Sequence, residues 1–331
     1  MVRPIDFDFN EQTAKDNHFQ NQPDGEDNRS VNEKAMEEFE ICVEELRAEG
    51  VEVIILDEIH AQSRIKTPDA VFCNNWFSTH NTGLMLTYPL ATQNRREEVK
   101  KTEIVRDLFE KNGFAVIDVV KVVDNITEGE YLESTGSMVI DHLNATVYAA
   151  LSARTNEKVL QKFLEATDGQ YTELVTFDTL SSHGQPFYHT NVMMSIGAQF
   201  AVLCAEAIVE KDRQRVIDKL NSTGREVILI TLDQAETYFC GNILQLKSRE
   251  TGNFIIAMSE SCLRGFTKEQ RDQLRAFGKV VSFPVSKTIE FIGGGSARCM
   301  LGEIFLPRPN ASRRYSHDLR VFPLPELPEQ Q

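Results

Sequence analysis

FYHTNVMMSIG at residues 187–197, FAVLCAEAIV at 200–209, an amphipathic stretch near Asp212 to Asn221 and EVILITL at 226–232 together decide the fold. Short runs rich in Val, Ile and Leu, bounded by turn residues, predict strands, and the helical spacing between them predicts a helix of about three turns. The unit is therefore strand, strand, helix, strand. Outward from it the same layout returns. Tyr131 to Phe177 runs from YLESTGSMVI through TVYAALS and a helix near Asn156 to Ala166 to TELVTF. Tyr238 to Phe283 runs from YFCGNILQL through FIIAMS and a helix near Lys268 to Ala276 to KVVSFPV. Ala70 to Val120 runs from AVFCNNWFSTH through LMLTYP and a helix around Glu97 to Lys111 to FAVIDVV. Met1 to Asp57 carries a helix from Ser30 to Glu49 and the strand VEVIIL, and Ile289 to Leu306 offers a strand pair that would complete this block.

Five units with a period of about fifty residues indicate radial or solenoidal repetition. Gly-His and Trp-Asp blade signatures are missing, and a helix in every unit argues against an all-β propeller. The expectation is an α/β, five-bladed propeller: a pseudo-fivefold ring of ββαβ units, with inner strands lining a central site and helices outside. The ring makes residues 1–331 one domain, although length alone suggests two. In it Asn74, Asn75, Glu133, His189, Asn242 and Cys299 would surround one cavity. Ordinary strand-end turns also favour Asn, Gly and Ser, but a Cys, a His and a Glu at equivalent repeat positions favour convergence.

GGGSARCM at 293–300 supplies the thiol. Consecutive glycines allow positive φ and close approach of the backbone to a ligand, so a cysteine just after them can face a cavity. A lone cysteine is otherwise a small buried apolar residue. Its place in the repeat makes Cys299 a candidate nucleophile.

With 331 residues and 41% hydrophobic content, the chain can bury a sizeable core. A formal net charge of −15 disfavours nucleic acid and anionic membranes as partners. Six cysteines without close metal-type spacing indicate neither a disulfide framework nor a zinc site, and predict a reducing cytoplasm. No apolar stretch reaches membrane-spanning length, and MVRPID is no signal peptide. Residues 11–29 read as a long polar loop, either a lid at a cavity mouth or an exposed connector. The tail from Arg308, ending in PLPELPEQQ, reads as extended surface chain.

MVRPIDFDFNEQTA at 1–14, NNWFSTH at 74–80, NRREE at 94–98, LESTGSMV at 132–139, HTN at 189–191 and ARCM at 297–300 resemble the guanidino-group-modifying enzymes of the pentein fold. That superfamily holds arginine deiminases, dimethylarginine dimethylaminohydrolases and amidinotransferases. The resemblance spans nearly the whole chain. Its nearest likeness is to a bacterial citrulline-utilisation hydrolase subgroup, also described as amidinotransferase-like, which carries a few apolar residues before its M-V-R-P and so implies a late start at Met1.

The resemblance implies roles. Cys299 matches the nucleophile, His189 the general acid/base, and Glu133 the acidic residue that orients the histidine. Arg154 matches an arginine that holds a substrate α-carboxylate, and Arg95 or Arg96 a second such arginine. Asn74 and Asn75 fall among the substrate-binding positions. Where deiminases grip a guanidinium with two aspartates, this chain has His80 and Asn191. Neutral groups remove the attraction for a cation, and both can donate to a ureido oxygen. The pattern therefore leans toward citrulline, cleaved through a covalent Cys299 adduct to ornithine, carbon dioxide and ammonia, with no metal or organic cofactor. Rivals are arginine deiminase, dimethylarginine dimethylaminohydrolase or amidinotransferase activity, and a non-catalytic pentein binding protein. The implied partner is a small amino-acid substrate, and a homo-oligomer is compatible with the sequence.

Overall fold

The computed structural model describes residues 1–23, 30–57 and 65–309. Four three-stranded sheets recur along it. The first holds β1 (Phe77–Thr79), β2 (Leu84–Thr87) and β3 (Asp118–Lys121), and the second β4 (Val139–Asp141), β5 (Thr146–Ala150) and β6 (Glu173–Phe177). The third holds β7 (Met194–Ile196), β8 (Phe200–Leu203) and β9 (Glu226–Leu229), and the fourth β10 (Leu244–Lys247), β11 (Phe254–Ser259) and β12 (Lys279–Phe283). In each, the first two strands pair antiparallel and the third joins the central strand in parallel. A parallel return needs a long crossover, and a helix makes it each time: Thr102–Lys111, Glu157–Ala166, Glu210–Asn221 or Lys268–Phe277. β5 and β8 are buried along their whole length, which is why they read as continuous apolar runs rather than alternating ones.

The crossover helices bury one stripe. Val159, Leu160 and Phe163 are the buried face of Glu157–Ala166, and Asn156 caps its start by accepting from the Lys158 amide. Thr267 and Gln270 form a capping box on Lys268–Phe277. The helix predicted around Glu97 to Lys111 is divided into Gln93–Val99 and Thr102–Lys111, and the Thr102 hydroxyl caps the Val99 carbonyl at 2.5 Å where they meet.

The N-terminal block differs. Its helix Val31–Ala48 has a Ser30–Glu33 capping box and buries Ala35, Phe39, Cys42, Val43 and Leu46. The predicted strand at 51–56 is extended chain with one parallel bridge, Val2 to Leu56. Met1 and Arg3 bond to Ile54 and Leu56, and Pro4, which follows, has no N–H to extend the ladder. The strand pair expected within 289–306 is not present. Instead Ile289–Gly293 is a short helix and Ala297–Met300 a 3₁₀ turn. Beyond them the Thr79 hydroxyl stands in for a ladder, donating to Glu303 O (2.9 Å) and accepting from the Phe305 amide (2.8 Å). The architecture is thus a mixed α/β fold of small sheets.

A buried fork ties two sheets together. Arg225, just before β9, donates to both carboxylate oxygens of Asp141 at the end of β4 (2.6 and 2.8 Å).

Candidate active site

Four chain segments pass through one layer, each leaving a polar residue there. Tyr188 leads to His189 and Asn191, then into β7. Glu133 leads through the turn Ser134–Ser137 into β4. Phe239 leads to Asn242, then into β10, and the Gly293–Gly295 loop leads to Cys299. Asn191, Asn242 and Cys299 meet at the sulfur, and Glu133 and His189 form a buried pair.

Cys299 is buried at 2% exposure and faces two amides. Asn242 Nδ2 lies 3.3 Å and Asn191 Nδ2 3.4 Å from its Sγ. The Asn242 side chain is fixed from both ends, since Oδ1 accepts from the Arg298 amide (3.0 Å) and Nδ2 also donates to Asn191 O (2.9 Å). Asn191 Oδ1 has no hydrogen-bond partner among the described residues.

Glu133 anchors the other half. Its Oε2 lies 2.8 Å from His189 Nε2 and 3.4 Å from an Arg154 nitrogen, and its Oε1 accepts from the Ala91 amide at 3.0 Å. Burial alone pushes the Glu133 carboxyl up, but Arg154, His189 and Arg95 together outweigh it and hold the group well below the usual carboxylate range. Burial pushes His189 down, against the pull of Glu133. The pair thus combines a fixed carboxylate with an imidazole poised to be neutral. Beside it, the Tyr188 ring lies 4.5 Å from the His189 ring, and its hydroxyl donates to Gly294 O at 2.6 Å.

Asn75 and Asn74 pack against this pair. A Cβ at Gly136 would stand 2.3 Å from Asn75 Nδ2 and 2.8 Å from His189 Cε1, so the glycine in Glu133-Ser134-Thr135-Gly136 is required by the approach of two site residues. Asn75 Nδ2 donates to Asn74 Oδ1, and Asn74 Nδ2 to Thr135 Oγ1. Arg95 holds Asn75 through its Oδ1 at 2.7 Å.

Three expected positions are corrected. Arg95 is not a free carboxylate fork: it grips Glu98 with two bonds (2.9 and 3.0 Å) and the Phe72 carbonyl with a third. Arg96 donates to the Leu90 and Ala91 carbonyls and stacks on Tyr131. His80 bonds Ser78 and Gln170 and packs on Phe163 and Tyr171, and none of its hydrogen bonds reaches Cys299 among the described residues. Arg154 does belong to the layer, but its fork is filled by Asp16 and by Thr13 O.

Asp16, Asp69 and Tyr188 escape sequence reasoning. Asp69 is fully buried, accepts from Asn10 and Thr13, and keeps Oδ1 without a partner among the described residues. Its place ahead of the AVFCNN run is the one signal for it. Asp16 lies in the predicted loop, whose residues 24–29 fall outside the described ones. The described part lies across the glycine run: Asn17 and Gln20 donate to Gly293 and Gly294 carbonyls, and Phe19 packs on Phe187, Tyr188 and Phe239. Gly294 has φ 63°, and a Cβ there would meet the Gln20 backbone at 2.8 Å. The glycines accommodate this loop and, at Gly293 and Gly295, the Phe72 ring.

Two cavities meet the layer. A cleft of about 710 Å³ is lined by Asp16, Phe19, Tyr188, Phe239 and Glu290. A second, of about 200 Å³, is lined by Thr135, Asn191, Ser195, Leu244 and Arg298. Among the described residues no group of three or more His, Cys, Asp or Glu is disposed to hold a metal, and no helix is long and apolar enough to cross a membrane.

Repeated ββαβ sheets, with a buried thiol, imidazole and carboxylate on the segments that adjoin them, define the class: a guanidino-group-modifying protein of the pentein superfamily. A family model described as N,N-dimethylarginine dimethylhydrolase, eukaryotic, matches residues 3–306, and the chain belongs to that family. The N-terminal domain of ArgZ, an arginine dihydrolase from the ornithine–ammonia cycle in cyanobacteria, superposes with a TM-score of 0.65 at 17% identity, covering 93% of this chain and 98% of that one. AgrE in complex with ornithine and NAD+ gives 0.66 at 16%, covering 93% of this chain but only 39% of its own. A dimethylarginine dimethylaminohydrolase variant in adduct with S-methyl-L-thiocitrulline gives 0.60 at 15%, covering 90% and 96%. At these identities the likeness is one of fold. No curated protein sequence matches the chain significantly.

Proposed function

We propose that this chain is a cysteine-dependent hydrolase of a ureido or guanidino amino acid, cleaving citrulline to ornithine, carbon dioxide and ammonia. We further propose that residues 1–331 form one domain, with the N-terminal block and residues 289–306 as the fifth unit of a ring. The observation that carries the substrate assignment is the pair of neutral amides, Asn191 and Asn242, at Cys299 Sγ. A carboxylate there would attract a guanidinium and repel a ureido oxygen, whereas amide N–H groups donate to that oxygen. His80 faces Ser78 and Gln170 instead, and Asn242 is the second neutral donor at the sulfur.

In this reading Cys299 attacks the ureido carbon and the amides hold the oxyanion. The Cys299 thiol passes its proton to His189 Nδ1 as the sulfur attacks; with Nε2 on Glu133, Nδ1 then gives that proton to the leaving nitrogen, so the carbon–nitrogen bond breaks, ornithine departs and an S-carbamoyl group remains on Cys299. Water then adds its oxygen to that carbon as the carbon–sulfur bond breaks. The sulfur regains its electron pair, His189 takes the proton, and the released carbamic acid falls apart to carbon dioxide and ammonia. The substrate α-carboxylate takes the Arg154 fork in exchange for Asp16, whose side chain is 33% exposed. Asp69 Oδ1 accepts from the substrate's positive end.

A second reading keeps the same thiol chemistry with arginine, in which Asp69 Oδ1 takes the guanidinium instead of the α-ammonium. Product analysis on citrulline and arginine side by side, with intact-mass detection of the Cys299 adduct, tests the assignment. Ornithine and ammonia from citrulline support it, and turnover of arginine alone overturns it.

A further inference from the structure

The cleft and the smaller cavity share no lining residue, and the chain order puts the catalytic layer between them. Phe187 and Tyr188 line the cleft, His189 and Asn191 form the layer, and Met194 to Ala198 line the cavity. Tyr238 and Phe239, then Asn242, then Ile243 to Gln245 repeat the sequence. Glu290 and Phe291, then Cys299, then Glu303 and Phe305 repeat it again. In chain order each segment thus passes from the cleft, through the layer, to the cavity.

Two buried polar atoms belong to residues that line that cavity and have no hydrogen-bond partner among the described residues: Ser195 Oγ and Asn191 Oδ1. Both residues are more than nine-tenths buried, at 7% and 1% exposure. An unsatisfied buried oxygen is costly, and an adjoining cavity with room for water is where water satisfies it. About 200 Å³ is several times the ~30 Å³ share of one water in the liquid. Leu143 and Phe305, at 44% and 36% exposure, carry the cavity lining to the surface. Asn191 spans the boundary, with Nδ2 on the Cys299 sulfur.

We propose that this inner cavity is the route by which the hydrolytic water reaches the Cys299 adduct, received by Asn191 Oδ1, while the amino-acid product still fills the cleft. This rests on the covalent reading above. The water approaches the adduct carbon from the face away from the departing amine, donates one O–H to Asn191 Oδ1, and gives its other proton to His189 as the carbon–sulfur bond breaks.

The test fills the cavity and reads the two chemical steps separately. Ser195→Leu narrows its wall; Leu143→Trp narrows its exposed rim without touching the core, so one variant remains informative if the other fails to fold. In rapid-quench experiments with citrulline and with arginine, the first-turnover burst of the released product should be unchanged. Intact mass should show the adduct persisting, with its hydrolysis slowed by about tenfold. Adduct decay at the wild-type rate in a folded, filled variant overturns the proposal, as does equal slowing of burst and decay. Absence of any adduct from wild-type protein with either amino acid overturns the covalent reading and this proposal with it.

Discussion

His189 and His80 are both buried histidines, the first leading into the helical turn before β7 and the second directly after β1, yet only one is built for chemistry. His189 meets a carboxylate that Arg154 keeps charged, and it abuts Asn75 and Gly136 in the layer that holds the thiol. His80 meets a neutral amide and a hydroxyl, in a cluster where Ser78 continues to Tyr88 at 2.6 Å and aromatic rings close the remaining faces. The first environment stabilises an imidazolium when a proton arrives. The second offers nothing to a charge, and burial pushes His80 down to about 4. Residue type and burial do not separate these roles; the charge of the partner does.

The strongest attempt to break this contrast replaces the reacting groups themselves. Cys299→Ser and His189→Ala should each lower turnover by at least about 10⁴-fold, as loss of a nucleophile or its proton carrier does in acyl-transfer sites. Their melting temperatures should stay near wild type, whereas His80→Asn should keep turnover within about threefold. Steady-state rates with calorimetry check both halves. A Cys299→Ser protein that retains most activity would remove the assignment.

Glu133→Gln probes the link between the halves. It keeps the shape but leaves Arg154 facing a neutral amide in a dry site, so about 3 kcal/mol of stability should go with a fall in turnover of about 100-fold. A urea midpoint and a rate on the same preparation suffice. A fall in rate alone would mean that Asp16 is counterion enough for Arg154.

His80 has its own signature in pH. Its unfolded value is near 6.5 and its folded value about 4. Below 6.5 the unfolded chain binds a proton that the native state refuses. Its contribution is therefore whole above pH 6.5 and lost as pH falls toward 4, by about 3 kcal/mol in all. Glu38, pushed up to about 7 by burial, works in the opposite sense over the same range. The wild-type minus His80→Asn difference in unfolding free energy isolates the histidine. A difference that is flat from pH 7 to 4 would contradict the buried, uncharged role.

The sequence made the repeats legible because central strands buried on both faces read as continuous apolar runs, and the helices as clear stripes. It was least reliable where pairing depends on side chains instead of pattern: VEVIIL forms one bridge, and Thr79 replaces a ladder at residues 303–305. Of the site, Cys299, His189, Glu133 and Asn242 were indicated by their repeat positions, and Asn191 by the resemblance alone. His80 was misplaced because a polar residue at a strand end has two faces to choose from, and the spacing does not say which. Arg95 was matched to a substrate fork by resemblance, whereas Glu98 follows at i+3, a spacing suited to the ion pair it forms, here buried rather than at the surface. Asp16 and Asp69 carry no periodicity, and their roles arise only from the loop folding back on Arg154.

The finest test of the contrast lies within the layer. If the neutral amides at Cys299 set the substrate, Asn191→Asp should move preference toward arginine, since the carboxylate attracts a guanidinium and repels a ureido oxygen. Specificity is a difference of two transition-state affinities, so the ratio of kcat/KM for citrulline and arginine is the quantity to follow. Asn242 still donates to the sulfur in this variant, which limits the expected change in that ratio to about tenfold. Both absolute rates should fall, because a carboxylate beside the thiol opposes its negative charge. A folded, active variant whose ratio matches wild type would show that Asn191 serves the oxyanion or the water without choosing the substrate, and would move the choice to Asn75 and Asp69.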